Sequence, residues 1–138
     1  MKPIICTSGI IRKNGKILIA QRLPDSKLEP LKWEFPGGKI EFTEDPKDCL
    51  VREIREEMDF EVRVGEIFDV SSHNYEKDSE IYHILLLCYL CHYLSGEPKT
   101  IECNDIRWVG VGELPEYEFA AADLPIIEKL RRREPAPH

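Results

Sequence analysis

Long apolar runs are scarce in this chain. The longest, from Ile84 to Cys91, is far shorter than the roughly 20 residues that a membrane-spanning helix needs. The first residues also lack an apolar segment closed by small residues, which a secretory leader would carry. We therefore expect a soluble protein of the cytoplasm with no membrane partner.

Basic stretches are nearly absent as well. The formal net charge is −7, and the only cluster of positive residues is Arg131 to Arg133. A surplus of negative charge repels the phosphate backbone of DNA and RNA. Polymeric nucleic acid is therefore not expected among the partners.

Cysteine is sparse in this chain. The five cysteines are an odd number and lie scattered along the sequence, so they do not form the paired pattern of a disulfide framework. This usage is typical of reduced thiols in a cytoplasm. Cys88 and Cys91 form the one C-x-x-C pattern, within a run that reads as a strand. Residues three apart in a strand point to opposite faces, so these two sulfurs are not expected to share a zinc ion. We expect them to be buried in the core.

The chain has 138 residues, of which 42% are hydrophobic, and this is enough for one core. No repeat, linker or low-complexity segment interrupts it. We therefore predict a single domain over residues 1–133, followed by a frayed tail at residues 134–138.

The strongest helix signal follows a proline- and glycine-containing loop. Asp45 is a good N-cap, and Pro46 suits the first helical position. From there to Met58 the apolar residues recur with a period of 3.6, as one stripe for packing against a sheet. The stripe consists of Leu50, Val51, Ile54 and Met58.

Strand patterns occupy much of the remaining chain. Asn14-Gly15 between two apolar runs, residues 4–12 and 16–22, predicts a tight β-hairpin. Further strands are predicted at residues 62–70, 81–93 and 106–111, and a closing helix at residues 123–133. The expected fold class is α+β, with a mixed β-sheet sandwiched between α-helices.

Three glutamates share one edge of the predicted helix. At 100° per residue, Glu53, Glu56 and Glu57 fall within about a third of the circumference. Like charges at this spacing cost roughly 0.2–0.5 kcal/mol per pair unless something positive lies there. Magnesium, which is held by a few carboxylates together with phosphates and water, would offset that cost. The alternative from these residues alone is a solvated charged face.

The surrounding sequence resembles the signature of the Nudix superfamily, G-x5-E-x7-R-E-U-x-E-E-x-G-U, where U is apolar. Here Gly38 is followed by five residues, Glu44, seven residues, and Arg-Glu-Ile-Arg-Glu-Glu-Met-Asp-Phe at residues 52–60. Every charged position matches. The one departure is Asp59 in place of glycine, at a helix end where a left-handed conformation is common. Aspartate tolerates that conformation at a small cost.

The resemblance implies a site. Glu53, Glu56 and Glu57 would bind magnesium or manganese, Arg52 would orient the carboxylates, and Glu44 would support the loop and helix. Gly37 would add a carbonyl ligand, and Glu102 matches a late glutamate that acts as metal ligand or general base, unless it is a solvated loop residue. Residues 33–40 and 119–127 look most like the MutT and CTP pyrophosphohydrolase branch. The expected substrate-binding residues are Arg22, Phe35, Gly38, Lys39 and Asp123.

The implied reaction is magnesium-dependent hydrolysis of a nucleoside triphosphate to a monophosphate and pyrophosphate, with Glu102 or a glutamate of the signature taking the proton. Asp123 stands where MutT-like sequences that prefer oxidised guanine carry asparagine. Its carboxylate would suit cytosine or guanine donors, or it is simply a helix N-cap. Phe35 would contact a base or belong to the core. We expect cytosine nucleotides, including modified ones, and oxidised purine nucleotides next. The alternatives are hydrolysis of ADP-ribose or a related diphosphate, and nucleotide binding without catalysis; monomer and homodimer stay open.

Overall fold

The structure is a computed structural model that describes residues 2–133. The tail predicted at residues 134–138 lies outside the described residues. The first elements are strands β1, Ile4–Lys13, and β2, Lys16–Gln21, which pair antiparallel. The turn between them has φ values of 52° at Asn14 and 75° at Gly15. Two positive φ values are what a tight two-residue turn requires, so the predicted hairpin is confirmed.

The two strands of this hairpin remain paired only next to the turn, at Arg12 and Lys13 of β1. Beyond that point two short strands pair with them separately. β3, Trp33–Glu34, pairs with β2, and β4, Gly37–Lys39, pairs with β1. Strands of two and three residues are too short to show an alternating pattern, and the sequence did not predict them. Because β1 and β2 diverge, a cleft opens between them.

A long hairpin and one further strand complete the sheet. β5, Glu61–Lys77, pairs antiparallel with β6, Glu80–Ser95, while β6 runs parallel to β1. β7, Asp105–Val109, pairs with β2. The sheet is therefore mixed, as predicted. The predicted end of β5 at residue 70 was wrong, because residues 71–77 are mostly polar and become a strand only through pairing with β6.

The first helix, α1, spans Pro46–Met58, and its boundaries match the prediction. The side chain of Asp45 accepts hydrogen bonds from the backbone N–H groups of Lys47 and Asp48, as an N-cap does. Asp59 ends the helix with a φ of 53°, and its N–H donates to the carbonyl of Arg55. Aspartate thus adopts the left-handed conformation at this position, as expected.

The last helix, α2, spans Leu124–Arg133 and begins one residue later than predicted. Asp123 belongs instead to a short 3-10 helix, Ala121–Asp123, that leads into α2. Another 3-10 helix, Val111–Glu116, follows β7 and shortens the strand that the sequence predicted up to residue 111. None of the helices within residues 2–133 is long and apolar enough to span a bilayer.

Two clusters of buried side chains cover the two faces of the sheet. Leu50 of α1 belongs to one cluster, and Ile126 of α2 belongs to the other. Full burial of one such aliphatic side chain contributes roughly 1.5–3 kcal/mol. Cys88 lies in the cluster with α2 and Cys91 in the cluster with α1, so the prediction that the two thiols are buried on opposite faces is confirmed. The helices enclose the sheet as the sequence predicted.

Candidate functional site

The divergence of β1 and β2 leaves a cleft of about 300 Å³. Its walls come from β1, β2 and the segment Glu34 to Gly38. One end of it contacts the last turn of α1 and the loop that carries Glu102 and Cys103. The other side contacts β5, β6 and the 3-10 helix Ala121–Asp123. The cleft therefore joins the carboxylate edge of α1 to the last part of the chain.

Arg52 organises the carboxylates of the Nudix-like signature. Its Nε donates to Glu44 Oε2 at 2.7 Å, and its Nη2 donates to Glu44 Oε1 at 2.9 Å. Its Nη1 donates to Glu53 at 2.9 Å and to Glu56 at 3.0 Å. The bond to the guanidinium lowers the pKa of Glu44 to about 2. One guanidinium thus ties the loop before α1 to two of the three glutamates on its edge.

Gly37 and Gly38 let the backbone of β4 pass very close to its neighbours. A Cβ atom on Gly37 would lie 1.9 Å from the carbonyl oxygen of Thr7 in β1. A Cβ atom on Gly38 would lie 2.3 Å from the carboxyl group of Glu53. Both distances are far below any real carbon contact, so a side chain at Gly37 would displace the backbone of β1 and one at Gly38 would displace the side chain of Glu53. The carboxyl group of Glu53 is therefore held directly against the backbone of β4.

Glu57 and Glu53 form a close pair of carboxyl groups. Burial raises the pKa of Glu57 to about 9, and the hydrogen bond that the protonated Glu57 donates to Glu53 and the charges of Glu53 and Glu34 add to that effect. The backbone N–H of Glu102 donates to the carbonyl of Glu57 at 3.2 Å, which brings the exposed Glu102 beside the end of α1. Glu57 and Glu102 line the cleft, whereas Glu56 is exposed beside it.

These residues fit a magnesium ion that is shared with a substrate. Within residues 2–133, no three His, Cys, Asp or Glu side chains form a group that holds a metal ion by themselves. Magnesium is usually held by one or two carboxylates plus substrate phosphates, so a complete protein cage is not required. Burial and the neighbouring carboxyl group of Glu53 raise the pKa of Glu57, and a cation beside the two carboxyl groups would offset their repulsion.

An ion pair lies in the middle of the cleft. Arg22 Nη1 donates to Glu34 Oε1 at 2.8 Å, and its Nε donates to the carbonyl of Leu28 at 3.0 Å. Burial raises the pKa of Glu34, and the charge of Arg22 opposes that shift. The sequence analysis predicted Arg22 but missed Glu34. The sequence signal for Glu34 was a charged residue placed between two aromatic residues, Trp33 and Phe35, which the structure buries.

Asp123 is buried at the side of the cleft formed by the last 3-10 helix. Asp123 is 4% exposed, and its Oδ1 atom has no hydrogen-bond partner. Burial raises its pKa well above the ordinary value, and the charge of Glu34 adds to this shift while Arg22 opposes it. The hydroxyl of Ser8 is also buried without a partner in the same cleft. Buried polar atoms without partners cost free energy, so the Oδ1 atom of Asp123 is a candidate acceptor or donor for a ligand in this cleft.

The other two expected substrate residues differ in position. Phe35 lines the cleft, but it is only 2% exposed and packs against Phe119 with ring centres 5.5 Å apart. It is thus part of the core as well as of the cleft wall. The side chain of Lys39 is exposed and lies outside the lining of the cleft, and its carbonyl accepts from Arg52 at 3.2 Å. The structure brings together Arg22, Phe35, Gly38 and Asp123, and it leaves Lys39 apart from them.

Comparisons with known proteins agree with this geometry. The chain is 39% identical over 139 residues to the CTP pyrophosphohydrolase of Escherichia coli strain K12, which covers 99% of both chains. It is 34% identical over 133 residues to the 8-oxo-dGTP diphosphatase of the same organism, covering 96% of this chain and 99% of that one. The crystal structure of the MutT protein from Methanosarcina mazei Go1 superposes with a TM-score of 0.82 at 25% identity, covering 98% of each chain.

The family model of the NUDIX domain matches residues 4–130. This range includes the carboxylate edge of α1, the glycines of β4 and the 3-10 helix with Asp123. The chain therefore belongs to the Nudix family and is a hydrolase of phosphoric anhydride bonds.

Proposed function

We propose that this protein is a magnesium-dependent nucleoside triphosphate pyrophosphohydrolase that prefers a cytosine base and releases a nucleoside monophosphate and pyrophosphate. One observation carries the choice of base. A buried carboxyl group without a partner at Oδ1, that of Asp123, lines the same cleft as the carboxyl group of Glu57. The similarity to the CTP pyrophosphohydrolase of Escherichia coli supports the same choice.

The carboxylate end of the cleft would receive the phosphates. Glu53 and Glu57 would hold magnesium together with the substrate phosphates, and Glu56, Glu102 and the carbonyl of Gly37 are the further ligands that the family signature implies. Magnesium, when bound, neutralises phosphate oxygens and makes a water molecule more acidic. Arg52 holds the glutamates of α1 in place through its hydrogen bonds.

Two further side chains act on the substrate directly. Arg22 brings a positive charge into the middle of the cleft, where it offsets the negative charge of the phosphate chain. Glu34 accepts one of its hydrogen bonds and so fixes the direction of the guanidinium. Glu102, an exposed residue that lines the cleft, or a glutamate of the signature takes the proton of the attacking water.

The protonation state of Asp123 decides which base it matches. Burial raises its pKa well above the ordinary value and so favours the protonated carboxyl group, which offers one donor and one acceptor. The edge of cytosine presents an amine donor beside a ring nitrogen acceptor, which is the complementary pattern. Guanine presents two donors, which match an ionised carboxylate instead. Adenine shows the same pattern as cytosine, so a purine has to be discriminated by its size.

A nucleotide panel tests this proposal. CTP, dCTP, 5-methyl-dCTP, ATP, GTP, 8-oxo-dGTP and ADP-ribose are each incubated with the protein, with magnesium and with EDTA. We expect pyrophosphate release from the cytosine nucleotides, dependent on magnesium. Faster turnover of ADP-ribose than of any triphosphate would refute the proposal, and so would turnover that is unchanged by EDTA.

A conservative substitution tests the role of Asp123. Asparagine has the same shape as a protonated aspartate and also offers one donor and one acceptor group, but it never ionises. We expect Asp123→Asn to retain CTP hydrolysis near neutral pH, while Asp123→Ala raises the KM for CTP. Equal KM values for the alanine variant and the unchanged protein would show that Asp123 does not contact the base.

A further inference from the structure

We infer that Tyr75 and Glu29 are positioning residues that hold the backbone carrying Asp123 and thereby set the discrimination between bases. This inference rests on the proposed function, because it assigns a role in base selection at the same cleft. Tyr75 lies on β5, and Glu29 lies on the loop between β2 and β3. Neither belongs to the signature around α1.

The backbone just before Asp123 is bound by side chains from distant parts of the chain. The N–H of Ala122 donates to the hydroxyl oxygen of Tyr75 at 3.0 Å, across 47 residues of sequence. The N–H of Ala121 donates to the two carboxylate oxygens of Glu29 at 3.3 and 3.2 Å, across 92 residues. The hydroxyl of Ser71 donates to the carbonyl of Ala122 at 2.7 Å. Hydrogen bonds to side chains outside the helix therefore fix this single turn.

Tyr75 and Glu29 lie close enough to interact. The hydroxyl oxygen of Tyr75 accepts from Ala122, and burial raises its pKa to about 12, with the nearby carboxylate of Glu29 adding to that shift. Loss of the hydroxyl therefore removes one support of Ala122 and one neighbour of Glu29. Glu29 itself has a φ of 46°, a left-handed conformation that persists in a non-glycine residue only where its surroundings hold it.

The position of this turn matters because Asp123 has no direct support at Oδ1. That atom is buried without a hydrogen-bond partner, so its place in the cleft depends on its backbone. Tyr75, Glu29 and Asp123 all line the cleft. A displacement of the turn changes the angle at which the carboxyl group meets the base, and it leaves the carboxylate end on α1 unaffected.

The test compares kcat/KM for CTP and GTP in four proteins: the unchanged chain, Tyr75→Phe, Asp123→Ala and the double variant. Phenylalanine keeps the ring, which packs against His73 with ring centres 4.5 Å apart, and removes only the hydroxyl. We expect Tyr75→Phe to lower the ratio of the two kcat/KM values by roughly threefold to tenfold, the order of one hydrogen bond. The change should appear in the KM for CTP, with kcat nearly unchanged.

A merely structural role would not reproduce the expected coupling. If Tyr75 acts through the side chain of Asp123, the double variant has the same ratio as Asp123→Ala alone. The matched control is Tyr82→Phe, which removes a hydroxyl bonded to Glu80 near the tip of the β5–β6 hairpin and should leave the ratio unchanged. The pair Glu29→Gln and Glu29→Ala gives an independent measurement: the amide retains an acceptor for Ala121 and should preserve the ratio better than alanine.

The outcomes separate the two proposals. If the unchanged protein hydrolyses no nucleoside triphosphate, the proposed function is wrong, and the role of Tyr75 in base selection is wrong with it. If the unchanged protein discriminates CTP from GTP and Tyr75→Phe keeps that ratio, only the positioning role is overturned. The positioning role is also overturned if Tyr75→Phe changes the ratio of kcat/KM for CTP and GTP equally with and without the Asp123 carboxyl group. If Tyr75→Phe does not fold, the two Glu29 variants decide by the same comparison.

Discussion

Gly38→Ala should inactivate the enzyme by displacing one carboxyl group. The added Cβ would lie 2.3 Å from Cδ and Oε2 of Glu53 and 2.8 Å from its Cγ. Ordinary contacts begin near 3.4 Å, so the carboxyl group has to move by about 1 Å. A misplacement of about 1 Å in catalytic geometry costs on the order of a hundredfold in rate. The side chain of Glu53 is 13% exposed and bonded to Arg52, so it has little room to move without disturbing its partners.

The assay is kcat for pyrophosphate release from CTP at saturating magnesium, measured beside the thermal unfolding temperature. Gly38→Ala should fold, because the atoms that its Cβ meets belong to a side chain. Gly37→Ala should lose stability instead, because its Cβ meets the backbone of β1 at 1.9 Å. Gly110→Ala is the matched control, since its Cβ would lie 3.4 Å from Glu113. A Gly38→Ala protein with kcat within about threefold of the unchanged enzyme would refute the reasoning, because the estimate of a hundredfold follows from the displacement alone.

Four further changes test the electrostatics and the core. The pKa of Glu57 is about 9 in the folded protein against an ordinary 4.5, so the free energy of unfolding without metal should fall as pH rises between these values. Glu57→Gln should abolish this decline in thermal melts with EDTA. The same variant should lose most turnover. The pKa of Glu44 is lowered to about 2, so its stabilising effect should be present above pH 4.5 and lost toward pH 2. In urea titrations, the difference in unfolding free energy between Glu44→Gln and the unchanged chain should therefore shrink over that range. The preference for CTP over GTP should decline as pH rises and Asp123 loses its proton, while Asp123→Asn should show no such decline in kcat/KM profiles. Ile126→Ala, at a fully buried position of α2, should lose about 2–5 kcal/mol of unfolding free energy, whereas Leu124→Ala, at a residue 54% exposed, should lose far less.

The part of the site on α1 could be predicted from sequence because its geometry is local. A helix of known period determines which residues share a face, so the relation of Glu53, Glu56 and Glu57 follows from their spacing. The boundaries of α1 were predictable for the same reason, since Asp45 caps it and Asp59 ends it within the same segment.

Elements that depend on distant partners were harder to predict. The extension of β5 to Lys77 has no hydrophobic alternation of its own, and pairing with β6 determines it. The strands β3 and β4 exist because β1 and β2 diverge beyond their turn, and no local pattern records that divergence. The role of Glu34 was missed for a similar reason, because its partner Arg22 lies 12 residues away, across a loop whose path the sequence does not show.

The base side of the cleft shows why residue type alone does not decide specificity. From the sequence alone, an aspartate is assumed to be ionised and therefore only to accept hydrogen bonds, which would suit guanine as well as cytosine. Burial at 4% exposure, with the charge of Glu34 nearby, raises the pKa of the same side chain and so favours its neutral form, which has a donor and an acceptor. That burial depends on the turn at Ala121 and Ala122, which Glu29 and Tyr75 hold from two other segments of the chain. On the proposed function, the preference for a base is a property of how three distant segments pack, and replacing Tyr75 should alter it although the aspartate is unchanged.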